Sequence, residues 1–180
     1  MISLPFRRTS SASKIDALYG MIVAQARNPE FYRGYGVPDT MEARLDMIML
    51  HLVLVLRQLT REHGALPPAG QRLFDRFCQD MDDNFREMGV GDLTVPKRMQ
   101  KVGEAFYGRT KAYEAALADD GPAALEAAVA RNVFGAPEPT LGAQRLAAYM
   151  QAVAARLAGL GADTVVAATF EFPDPKSMGA

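Results

Sequence analysis

The stretch from Asp80 to Met99, DMDDNFREMGVGDLTVPKRM, is where this sequence crowds groups that could do chemistry. On a helix Asp80, Asp83 and Glu87 fall on one flank at steps of three and four, so their carboxylates could converge on a cation or share a proton. A di-metal site in a helical bundle needs a Glu-x-x-His pair on facing helices. Neither His51 nor His63, the two histidines of the chain, stands three residues after a glutamate. The ligand spacing and central glycine of a calcium loop are also missing, and Arg76 on the same flank takes part of the charge. These acids therefore read as a solvated or partner-facing surface and not as a metal or acid/base site.

The other reactive side chains are fewer still. Cys78 is the single cysteine and falls on an apolar helical stripe, as an inert core thiol would. A lone thiol makes no internal disulfide, and a reducing, intracellular setting is expected. His51 lies about a quarter-turn from the inner stripe of its helix, the position of a hydrogen-bonded boundary histidine. No Ser-His-Asp, Cys-His, P-loop or GxGxxG constellation occurs, so neither catalytic nor cofactor-binding residues are assigned. A small helical ligand- or metal-binding protein or enzyme remains the alternative class.

Charge separates along two neighbouring helices. Between Gln71 and Leu93 stand Asp75, Asp80, Asp82, Asp83, Glu87 and Asp92 against Arg72, Arg76 and Arg86. Between Thr94 and Tyr113 stand Lys97, Arg98, Lys101, Arg109 and Lys111 against Glu104. That polarity can pin the two helices together or present a docking surface. Gly103 and Gly108 sit inside the second helix, where each costs about 1 kcal/mol relative to alanine. They point to close contact with another helix, to a kink, or to a place where a partner's backbone can approach.

The elements that would position these groups are helical. Ile15, Leu18, Tyr19, Ile22, Val23 and Ala26 recur at helical steps from Ser13, a plausible cap, to about Arg27, where Asn28-Pro29 ends the run. After the aromatic connector EFYRGYGVPD, Thr40 caps a helix to His63 whose core, MIMLHLVLVL, is apolar nearly all round and marks the centre of the domain. Gly64 stops it. The pattern then predicts helices over about 71–88, closed by Gly89 in the left-handed region, and from a Thr94 cap to about 117. Two more follow, over about 123–134 and 141–160. TVVAATFEF is β-prone and predicts a docked extended segment.

The expected fold is all-α, a single-domain bundle of about six helices over 13–172. Residues 1–12 read as a flexible lead-in and 173–180 as a disordered tail. The basic start of the chain, with Arg7 and Arg8, lacks the apolar run of a secretory signal. A remnant of an organelle-targeting peptide is its other reading. About half the residues are apolar (49%) and the net charge is −1, so no global field favours nucleic acid or an anionic membrane.

Three segments resemble the ubiquinol–cytochrome c chaperone family, the assembly factors for cytochrome b of respiratory complex III. They are LYGMIVAQARNPEFYRGYGVPDT, with Gln25, Ala26, Arg27, Pro29, Phe31 and Tyr32; ARLDMIMLHLVLVLRQL, with Arg44 and Leu50-His51; and FDRFCQDMDDNFREMGVGDLTVPKRMQKVGEAFYGR. Together they cover about Leu18 to Arg109, in order; one departure is Ala43, where a glycine is expected before Arg44.

The resemblance implies a non-enzymatic chaperone that holds newly made cytochrome b, needs no cofactor, and acts in the cytoplasm, peripheral to the inner membrane, or on the matrix side in a mitochondrion. A small partner protein and the ribosome or translocon region are implied as neighbours, and a structural subunit of the complex is a third possibility. On this view the partner-contacting residues are Arg44, His51, Asp80, Asp83, Asn84, Arg86, Lys97, Lys101, Tyr107 and Arg109. The chain's ten methionines supply adaptable apolar surface or fill an irregular core.

Overall fold

A computed structural model describes residues 11–119 and 121–178. Of the expected lead-in 1–12, residues 1–10, with Arg7 and Arg8, lie outside the described residues, and Ser11 and Ala12 are already helical. Those described form α1 (Ser11–Ala26), α2 (Pro29–Arg33), α3 (Met41–His63), α4 (Pro68–Glu87), α5 (Val95–Ala118), α6 (Ala123–Val133), α7 (Leu141–Ala158), α8 (Ala162–Val166) and a 3-10 turn at Pro175–Met178. The expected bundle is present: six long helices, two five-residue helices, and no strand among the described residues.

The centre is α3. Thr40 accepts a hydrogen bond from the Ala43 amide at 3.2 Å and starts it; Gly64, at φ +73°, ends it. Every residue from Met47 to Leu56 is buried, because α1, α4, α5, α6, α7 and α8 all pack on this one helix. A Leu or Met placed here contributes about 1.5–3 kcal/mol relative to an exposed one.

Several boundaries differ from the pattern-based expectation. Ser13 lies inside α1, which already includes Ser11. α4 begins at Pro68, three residues early: proline suits a first turn, and buried Gly70 lets the chain close on Leu66 and Leu56. Thr94 makes no side-chain cap; it is held instead by a turn in which its amide donates to the Gly91 carbonyl at 2.7 Å. Gly89, at φ +77°, does end α4 in the left-handed region.

The end of the chain departs most. Thr164, Val165 and Val166 lie in α8, and the non-repetitive segment begins only after Ala168, itself left-handed at φ 54°. Of the tail 173–180, expected to be disordered, residues 179–180 lie outside the described residues and 173–178 fold back on the bundle: the Tyr35 hydroxyl donates to the Pro175 carbonyl at 2.7 Å, and Pro175 is buried.

Candidate partner-binding surface

The acidic flank of α4 is divided between the fold and the surface. The Tyr19 hydroxyl on α1 donates to Asp80 Oδ2 at 2.8 Å, and burial and that carboxylate push the phenol's pKa up. Arg76 lies 5.0 Å over the Tyr19 ring, 3.1 Å from Asp16 and 3.8 Å from Asp80. Asp80 therefore holds α1 onto α4, while 29% of its side chain stays exposed. Asn84 donates its amide to the Asp80 carbonyl at 2.6 Å, while Asp83 and Glu87 face solvent.

At the end of α4, Arg86 reaches Asp82 at 2.6 Å and Asp92 at 2.5 Å, tying the last helical turn to the GVGD loop. Those two carboxylates hold its guanidinium above its ordinary pKa. This clamp holds up a corner whose apolar side chains are not covered. Leu93 is 91% exposed and Met88 54%. Met88, the C-cap residue of α4, turns outward. Leu93 lies in the loop between two helical stripes, so periodicity passes over it. The signal was an apolar residue in a glycine-flanked turn.

The charged sides of α4 and α5 do not pair across the seam: among the described residues no ion pair joins an α4 acid to an α5 base. The seam is aromatic. Phe74 stacks 4.9 Å from Phe106, Phe77 lies 6.0 Å from it, and Arg98 sits 5.5 Å over Phe85. Lys97 and Lys101 are exposed, and Tyr107 stands 66% exposed beside Phe74. A Cβ at Gly103 or Gly108 would meet nothing within 4 Å, so no neighbouring helix explains either glycine.

Two expected contact residues turn inward. Arg109 pairs with Asp46 on α3 at 2.5 Å, with only 19% and 12% of the two side chains exposed. Burial outweighs the pull of Arg109, and the Asp46 carboxyl is pushed up to about 6. His51 is fully buried, since its supposed boundary face meets α7, α2 and the C-terminal arm. Its Nδ1 lies 2.7 Å from the Met47 carbonyl, which can only accept, so Nδ1 carries the proton. Nε2 then accepts from the Tyr149 hydroxyl at 3.0 Å, and that oxygen accepts from Gln25 Nε2 at 2.8 Å. Gln25 also donates to the Pro173 carbonyl at 3.2 Å. Burial pushes His51 down to about 4, so the imidazole is neutral and structural.

Arg44 stays on the surface. Its Nε donates to Asp39 at 2.7 Å, and its guanidinium lies 6.0 Å from the centre of the Tyr32 ring. Cys78 is half-buried, with its pKa raised by burial, as an unreactive thiol. Among the described residues no group of three or more His, Cys, Asp or Glu is placed to hold a metal ion. None of their helices is long and apolar enough to cross a membrane.

The crystal structure of the Cbp3 homolog from Brucella abortus matches with a TM-score of 0.82 at 37% identity, covering 95% of this chain and 96% of that one. The Xenopus laevis ubiquinol-cytochrome-c reductase complex assembly factor 1 is 24% identical over 132 residues, 72% of this chain; the match spans 66% of that relative's length. A family model described as ubiquinol-cytochrome C chaperone matches residues 33–172, from the end of α2 to beyond α8. The helical bundle, its α4–α5 corner and its folded-back arm are thus those of a member of the ubiquinol–cytochrome c chaperone family.

Proposed function

We propose that the protein is an assembly chaperone for complex III that binds newly synthesised cytochrome b through the α4–α5 corner. The observation that carries this reading is the corner itself. Leu93 and Met88 project from a loop that the Arg86 clamp holds in place, flanked by Asp83 and Glu87 on one side and Lys97 and Lys101 on the other. An unassembled membrane protein exposes apolar helix surface bounded by charged loops. A rigid apolar tip with charges of both signs around it matches such a segment in chemistry. The likeness to the Brucella abortus Cbp3 homolog over nearly the whole of both chains supports carrying the family's role to this one.

Work of this kind takes place peripherally at the inner membrane, where the client emerges from the translocon, and a small partner protein fits the same setting. No step requires bond chemistry, so the protein acts as a holder and not an enzyme. The test is deletion of the gene followed by difference spectra of b-type haem and a blot for cytochrome b. Loss of both, restored by the natural protein and not by Leu93→Asp, supports the proposal. Normal cytochrome b in the deletion strain refutes it. Stoichiometric co-purification with the mature complex would instead make the protein a structural subunit.

A further inference from the structure

Away from the α4–α5 corner, three short stretches meet in an open groove of about 400 Å³ lined by Arg27, Pro29, Tyr32, Arg33, Asp39 and Arg44. Arg27 stands just past α1, Arg33 ends α2 and Arg44 lies in the first turn of α3. Their backbones are fixed relative to one another. The Asn28 side chain caps α2, the Tyr32 hydroxyl donates to the Ala26 carbonyl at 2.9 Å, and Thr40 caps α3. Asp39 engages Arg44 alone, and among the described residues Arg27 and Arg33 have no ion-pair partner.

We propose that this groove binds a phosphate ester, with Arg27 and Arg33 as its principal ligands and Arg44, held by Asp39, at its edge. A groove with three guanidiniums and one carboxylate lacks about two negative charges. A carboxylate ligand supplies one, whereas a phosphate monoester supplies about two and presents oxygens that match the guanidinium fork. The volume leaves room for the ester's organic part beside Pro29 and the Tyr32 ring. Two sources offer this chemistry, the headgroup of an anionic lipid and a free phosphate ester. The proposal is independent of which client the corner holds.

The test uses the full chain. Binding is measured by co-sedimentation with phosphatidylcholine vesicles with and without phosphatidic acid, and by calorimetry with glycerol 3-phosphate. Binding to phosphatidic-acid vesicles alone identifies the lipid source; binding to glycerol 3-phosphate identifies the free ester. With either, Arg27→Gln/Arg33→Gln should weaken binding at least about tenfold, since two charge-assisted hydrogen-bonding groups are removed. Lys97→Gln/Lys101→Gln, which removes equal charge from α5, should leave it within about twofold. Absence of binding to both probes, full binding by the arginine variant, or equal losses in the two variants would overturn the proposal. All four positions are exposed, and unchanged thermal unfolding confirms that each variant folds.

Discussion

Replacing Tyr149 with phenylalanine deletes one oxygen from the centre of the bundle and keeps the ring that packs 4.9 Å from Phe31. That oxygen donates to His51 Nε2 and accepts from Gln25. Gln25 retains the Pro173 carbonyl, but His51 Nε2, fully buried, is left without a donor. An orphaned buried acceptor costs about 1–3 kcal/mol, and the lost Gln25 bond adds about 1 kcal/mol. Tyr149→Phe should therefore lose about 2–4 kcal/mol in urea unfolding at pH 7.5. For a chain of this size that is a fall in Tm of roughly 4–16 °C. Hydrogen exchange should also rise in 169–178, because Gln25, which holds the arm at Pro173, loses the Tyr149 oxygen that fixes its side chain. A loss below about 0.5 kcal/mol would show that the hydroxyl does not link α1, α3 and α7, and would refute the network.

Titration of the two buried groups gives opposite slopes. His51, depressed to about 4 when folded, contributes stability that is present above pH 6.5 and lost as pH falls towards 4. Asp46, raised to about 6, carries a cost that is full above pH 6 and is relieved as pH falls towards 4. Urea unfolding of Asp46→Asn should thus lose stability on acidification more steeply than the natural protein; an unchanged slope contradicts the assignment. Arg109→Ala should cost about 3–5 kcal/mol, because it leaves the Asp46 carboxylate buried and unpaired, and a neutral effect would return Arg109 to the partner surface. Gly108→Ala should raise stability by about 0.5–1 kcal/mol, since its Cβ enters open space in a helix interior. A loss on thermal melting would show an unseen close approach there.

The central helix was legible because burial on every side leaves an unbroken apolar run, MIMLHLVLVL, between a threonine and a glycine that cap it. The site was less so. The wheel put His51 at a boundary because it measures one helix, whereas the histidine's outer face is covered by Tyr149 and Phe172, both far away in sequence. The opposed charges of α4 and α5 suggested a pairing that aromatic packing replaces. Asp80 looked like surface until Tyr19 supplied its donor. Gln25, Phe31 and His51, among the residues that carry the family resemblance, prove to be core and hydrogen-bonding residues that fix the arm. Asp83, Lys97, Lys101 and Tyr107, readable as surface, are exposed, as are Arg44, Asn84 and Arg86.

Contact between Leu93 and nascent cytochrome b is the claim on which the account turns. A photo-crosslinking amino acid placed at position 93 of the full chain, activated during synthesis of cytochrome b, measures it directly. The same group at Leu141, 73% exposed in the first turn of α7, is the control. The account predicts a cytochrome b adduct from position 93 and little from 141. No adduct at 93, or equal adducts at both, would contradict it.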